Sequence, residues 1–352
     1  MFIGALILIC ATSGAQTYSE SSAMFMTSET SASAIPADAS DEAPNPYHSV
    51  PGWATPLPDG QVWGSVTGVA IDRGHIWVVQ RCGGNSCVGK QDNPILEFDM
   101  DGKLLKGFGG GVFVMPHGLG LDKEGNLYVA DNQAKDGKGQ VVYKFSPEGK
   151  ILMTLGTPGV AGSGDNQFNQ PSDVAIAPNR DIFIADGRTV GADSNARIVK
   201  YSKEGKFIKA WGKHGTGPGE FQIPHCVRFD SKGRLYVADR DNSRIQVFDQ
   251  DGNFITQYKQ FGRPSGLFID KDTIYAADSE STPKSNPGYP RGRGIVIGSL
   301  KTLKVTAFIP DADNDPNSAG TNGAEDVTTN GKGTVLAGEI SQKRFMKYVT
   351  SK

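Results

Sequence analysis

His117 and His225 each sit in a Pro-His step that opens an apolar segment. The two segments are Met115-Pro116-His117-Gly118-Leu119-Gly120-Leu121-Asp122 and Ile223-Pro224-His225-Cys226-Val227-Arg228-Phe229-Asp230. Glu325 holds the same place in a third segment. Two imidazoles and one carboxylate form a ligand set for zinc, with a fourth position left open for a substrate or water. Taken singly, each histidine could instead cap a strand by hydrogen bonding. The metal reading depends on whether the fold brings the three together.

Their placement follows from an internal repeat. Both Pro-His segments lead through a glycine turn into an apolar strand, Asn126 to Asp131 in one case and Arg234 to Asp239 in the other. A loop, a third strand such as Arg244 to Phe248, an acidic-Gly turn (Glu148-Gly149, Glu204-Gly205, Asp251-Gly252) and a fourth strand follow. With the residue aligned to His117 as anchor, the unit recurs six times, at Thr67, His117, Ser172, His225, Ser265 and Glu325. The anchors are 50, 55, 53, 40 and 60 residues apart. An acidic or amide residue closes each second strand 13 or 14 residues later: Gln80, Asp131, Asp186, Asp239, Asp278 and Glu339.

Four short strands per unit of this length predict an all-β fold, a six-bladed β-propeller. The composition agrees: 45 glycines in 352 residues imply many turns. The sixth unit ends at Tyr348-Val349, one strand short, and Gln61-Val62-Trp63 is the expected source of the strand that closes the ring. In such a ring the anchors point towards the axis. Those of blades 2, 4 and 6 lie about 120° apart by pseudo-symmetry, so His117, His225 and Glu325 are expected to converge.

Asp239-Arg240-Asp241-Asn242-Ser243-Arg244-Ile245-Gln246-Val247-Phe248 resembles the NHL repeat fingerprint, and Ser194 to Tyr201 is a looser match. The resemblance covers residues 62–350 and implies a propeller (NHL repeats) without fixing a function, since one fold hosts many. Within that family the chain is similar to peptidyl-α-hydroxyglycine α-amidating lyase (peptidylamidoglycolate lyase), a zinc enzyme with three histidine ligands on alternate blades. Such enzymes break the C–N bond of a carbinolamide and release an amide and glyoxylate. The resemblance implies that His117 and His225 bind zinc, and it places Glu325 where the third histidine is expected. It also implies an axial calcium, with Asp326 as acidic ligand and Val69 and Leu119 as main-chain carbonyl ligands. Arg81, after Gln80, falls where the family's substrate-binding arginine lies and suits a substrate carboxylate. The family's tyrosine, expected after an Asp-Gly pair, is absent: Asp186-Gly187 is followed by Arg188. A guanidinium stays protonated, so Arg188 is expected to bind a second anionic group rather than act as a base.

Phe2 to Cys10 is a short apolar run followed by small residues, so residues 1–15 are expected to be a secretion signal, residues 16–60 a flexible leader and residues 61–352 the propeller. The expectation is a secreted or periplasmic protein. Cys82 and Cys87 bracket a short flexible loop and are expected to form a local disulfide there; Cys226 reads as a small buried hydrophobe.

The net charge is −2, and beyond residue 45 the chain carries 36 basic and 33 acidic residues. That balance disfavours a nucleic-acid partner. No stretch after the first reaches the ~20 apolar residues that span a bilayer, so no membrane insertion is expected after signal cleavage, and a monomer is expected. Three functions compete. The first is a metal-dependent, lyase-like enzyme acting on a small carboxylate-bearing substrate or peptide. The second is a non-catalytic module that binds protein or glycan. The third is a metal-dependent hydrolase or lactonase on the same ring.

Overall fold

The computed structural model describes residues 43–54, 57–189, 191, 193–313 and 322–351. The expected signal and most of the leader lie outside the described residues. The described residues form six four-stranded antiparallel sheets arranged as the blades of a β-propeller. Among them no α-helix occurs, only two 3₁₀ turns, Pro58–Gly60 and Arg240–Asn242.

The innermost strands are Val66–Asp72, Pro116–Leu121, Pro171–Ile176, Pro224–Phe229, Pro264–Asp270 and Ala324–Thr329. Each contacts the innermost strand of both neighbouring blades, so the ring is complete. Second strands such as Leu127–Asp131 and Leu235–Asp239 share the sequence Leu-Tyr-Val-Ala-Asp and are wholly buried. Strands covered on both faces read as continuous apolar runs for this reason.

The core is six separate clusters, one at each junction between adjacent blades. Trp77 and Val79 of blade 1 meet Val129 and Tyr143 of blade 2, for example. The stability of the ring is therefore spread over six similar interfaces.

The residues that close the second strands are scaffold. Asp131 accepts hydrogen bonds from the N–H groups of Val114 and Met115, Asp186 from Asn169, Asp239 from Gln222 and Asp278 from Arg263. Gln80 accepts from Gly64 through its amide oxygen. Each clamps the chain two or three residues before the anchor of its own blade, and so fixes where the anchor side chain points.

The closing strand differs from expectation. Tyr47–Ser49 pairs antiparallel with Arg344–Thr350 and completes blade 6, whereas Gln61-Val62-Trp63 forms no strand. Trp63 packs against Phe98 and Phe345 instead, plugging the junction between blades 6 and 1. Part of the segment expected as leader thus belongs to the ring.

Candidate metal centre and anion site

The anchors alternate around the axis between hydroxyls and larger groups, and the hydroxyls hold the larger groups in place. Thr67 donates its Oγ1–H to the His117 carbonyl at 2.9 Å, and Ser172 its Oγ–H to the Pro224 carbonyl at 2.6 Å. Ser265 Oγ meets Ser279 Oγ at 2.7 Å, and Ser279 donates to Glu325 Oε2 at 3.0 Å. Gly118 and Gly266, one residue past their anchors, are required for this closeness. A Cβ on Gly118 would lie 2.2 Å from Asp173 Oδ1, and one on Gly266 2.5 Å from the Asp326 Cα.

His117, His225 and Glu325 converge as expected and are buried, each at most 2% exposed. His117 Nδ1 lies 2.8 Å from the Ser172 carbonyl, and His225 Nδ1 2.8 Å from the Ser265 carbonyl. A carbonyl only accepts, so each Nδ1 carries the ring proton and each Nε2 presents a lone pair. Both Nε2 atoms stand 3.3 Å from Glu325 Oε1. Burial pushes the pKa of both imidazoles down, well below the usual range for His117, so both are neutral.

Three acceptors therefore face one another. His117 Nε2 and Glu325 Oε1 have no hydrogen-bond partner. Buried acceptors without a donor are costly, and a metal cation removes the cost. The 3.3 Å separations match the edge of a tetrahedron built on metal–ligand bonds of about 2.0–2.1 Å. Second-sphere carbonyls on both Nδ1–H groups are the usual support for such ligands. The donor set fits zinc.

Arg188 also reaches this centre. Its Nε donates to His225 Nε2 at 3.2 Å, and its Nη2 lies 3.7 Å from Glu325 Oε1. Gly187 makes this possible: its φ is +118°, and a Cβ there would strike the Ala196 nitrogen at 2.2 Å. Burial and the nearby Arg240 push the Arg188 pKa down, with Glu325 opposing.

Arg81 is 3% exposed. Its Nε donates to the Pro116 carbonyl at 3.2 Å and its Nη1 to Asn85 Oδ1, while Nη2 has no partner. Burial and Arg188 push its pKa down to about 9, against the pull of Glu325 and Asp131. Asn85 lies inside the loop closed by the Cys82–Cys87 disulfide, so the expected bridge holds the residue that aims Arg81. Cys226 is a buried free thiol packed among Tyr236, Leu267 and Ile274.

Two buried polar residues were not anticipated. Asn132 is 1% exposed, and neither its side-chain oxygen nor its nitrogen has a partner. Arg240 is 5% exposed, with Nη1 3.1 Å from Glu280 Oε1. Arg81, Asn132, Arg240 and Ser279 all directly follow the residue that closes a second strand. The position is shared, but the residue type is not.

The expected calcium residues are together but do not make a calcium site. Val69 donates its N–H to Asp326 Oδ2 at 3.0 Å, which brings blades 1 and 6 together at the axis. Arg228 lies across the axis, with Nη1 on Asp173 Oδ2 and Nη2 3.4 Å from both oxygens of Asp326. Calcium needs a shell of six to eight oxygens, and a guanidinium on the acidic ligand excludes it. Burial pushes Asp326 up to about 7, with Arg228 pulling down and Asp173 pushing up. Burial works against the Arg228 charge, but Asp173 and Asp326 hold its pKa above the ordinary range.

Between the two levels lies an axial cavity of about 10 Å³, lined by His117, His225, Glu325, Arg228, Asp173 and Asp326 among others. It has room for one ion or water and for nothing larger.

The blade count, the strand order and the alternating anchor ring define an NHL-type six-bladed propeller. The NHL repeat family matches residues 221–248. Mouse NHL repeat-containing protein 3 is 34% identical over 304 residues, covering 80% of this chain and 78% of that protein. Mouse peptidyl-glycine alpha-amidating monooxygenase is 34% identical over 321 residues, covering 81% of this chain. The chain spans about a third of that enzyme's length (30%). Peptidyl-alpha-hydroxyglycine alpha-amidating lyase 1 of Drosophila melanogaster is 37% identical over 170 residues, 45% of this chain and 29% of the lyase. A gluconolactonase from Xanthomonas campestris superposes with a TM-score of 0.55 at 14% identity, over 82% of this chain and 87% of that one, which speaks to fold alone. The chain belongs to the NHL-repeat family of NHL repeat-containing protein 3 and is similar over part of its length to the amidating enzymes.

Proposed function

We propose that this protein is an exported, zinc-dependent propeller that acts on a small carboxylate-bearing substrate of the peptidyl-α-hydroxyglycine type. The observation that carries the reading is the convergence of two imidazole lone pairs on a carboxylate oxygen, with both Nδ1 protons committed to carbonyls. His117, His225 and Glu325 would hold the zinc. Zinc supplies Lewis acidity, which lowers the pKa of a bound hydroxyl. Arg81 offers its unpaired Nη2 to the substrate carboxylate, and Arg188 draws a second anionic group onto the same face. Breaking the carbinolamide C–N bond moves the hydroxyl proton to the leaving nitrogen and yields an amide and glyoxylate. Export is supported by the apolar N-terminal run and by the Cys82–Cys87 disulfide.

One observation favours a second reading. Arg188 follows Asp186-Gly187, where the resemblance implies a tyrosine, and a guanidinium cannot accept a proton, which suits binding without turnover. The deciding experiment uses the protein purified without chelator. Its zinc content is measured, and glyoxylate release is followed with a peptidyl-α-hydroxyglycine. Stoichiometric zinc with glyoxylate supports the lyase, and zinc with binding but no glyoxylate supports the second reading. Turnover of a lactone instead moves the protein to the hydrolases. Absence of both zinc and carboxylate binding overturns the proposal.

A further inference from the structure

We propose that Arg228 is the built-in cation of the propeller axis and takes the structural place of a calcium ion. This inference stands on the lower level of the axis and is independent of any catalytic reading. The innermost strands of blades 3 and 6 bring Asp173 and Asp326 to the axis, both at most 3% exposed. Two buried carboxylates facing one space need a cation. Arg228, from blade 4, supplies it. Its Nη1 bonds Asp173 Oδ2 and also donates to the Val227 carbonyl at 2.7 Å, while Nη2 spans both oxygens of Asp326 at 3.4 Å. The backbone adds to the arrangement: Val227 N–H donates to Asp173 Oδ2 at 2.9 Å, and Val69 N–H to Asp326 Oδ2 at 3.0 Å, while Asp173 Oδ1 has no partner.

One side chain thereby links blades 3, 4 and 6, with blade 1 joined through Val69. Arg228 lies 55 residues from Asp173 and 98 from Asp326 in sequence. A bound divalent ion would do the same work, but an ion exchanges with solvent and a side chain does not. The guanidinium fork suits two carboxylates at once, where an ammonium would act as a point charge. The axis of this propeller is therefore closed without dependence on external calcium.

The test compares thermal unfolding in EGTA and in millimolar calcium chloride, together with the calcium content of the purified protein. The wild type is expected to hold no calcium and to shift its midpoint by less than about 1 °C. Arg228→Ala leaves the two carboxylates without a cation. In EGTA its midpoint should fall, and calcium should raise it by several degrees as binding is linked to folding. Arg228→Lys retains the charge and should show little calcium response. Stoichiometric calcium in the wild type, or a wild-type midpoint lowered by EGTA, would overturn the proposal. So would an Arg228→Ala protein whose unfolding is indifferent to calcium. The wild-type arm requires no variant to fold, and a failure of the proposed lyase activity would leave it untouched.

Discussion

Arg188 Nε is bonded to His225 Nε2, the same nitrogen that faces Glu325. A fixed positive charge thus stands beside the atom expected to bind a metal. It compensates Glu325 when no metal is bound and repels a divalent ion that arrives. Removing it should make metal binding easier. Arg188→Met is expected to raise zinc affinity about tenfold, equivalent to ~1.4 kcal/mol, in a chelator competition. Unchanged or weaker zinc affinity would show that the guanidinium does not sense the metal.

Glu325 is predicted to be a true ligand rather than a counter-ion for Arg188. Glu325→Ala removes one of three protein ligands and should weaken zinc binding by roughly tenfold or more. The double variant His117→Ala/His225→Ala should lose retained metal while circular dichroism still reports a β fold. Full metal content in that double variant would remove the site.

Arg81 is predicted to bind the substrate carboxylate through Nη2. Glyoxylate should raise the unfolding temperature of the wild type but not of Arg81→Met. Burial and Arg188 lower its pKa to about 9, so below that value the guanidinium is charged and pairs with the carboxylate, and stabilisation by glyoxylate should hold across the neutral range up to about pH 9. Equal stabilisation of the two proteins would place the anion elsewhere.

The Cys82–Cys87 bridge closes a short loop, so chain-entropy scaling gives it only about 2 kcal/mol. Its larger effect is expected on Asn85, which receives hydrogen bonds from both Arg81 and Ser65. Cys82→Ser/Cys87→Ser should weaken glyoxylate binding several-fold with a modest loss of unfolding midpoint. A large loss of stability with unchanged glyoxylate affinity would reverse that assignment.

The ring of six blades was legible because the anchors and the strand-closing acids keep nearly constant spacing, and those acids hold the backbone just before each anchor. His117, His225 and Glu325 were legible for the same reason. Arg228 was not: it sits three residues past an anchor, and its partners lie in other blades. Asn132 and Arg240 were not legible because the position after each strand-closing residue changes type from blade to blade, as Arg81, Asn132, Gly187, Arg240, Ser279 and Ile340. Tyr47–Ser49 was hidden by its brevity and by its Pro- and Ser-rich surroundings. Only three residues pair there, too few for an alternation to show.

The seam they form has a kinetic consequence. His48 and Ser351 meet across a sequence separation of 303 residues. Bringing such distant points together carries a closure entropy of about 5 kcal/mol, and this contact can form only after the other blades have ordered the chain between them. Folding should end at this seam, and unfolding should begin there. Until Tyr47–Ser49 docks, Arg344–Thr350 offers a free strand edge to any extended chain it meets. The lifetime of the whole molecule, as distinct from its equilibrium stability, therefore rests on one of its shortest strands.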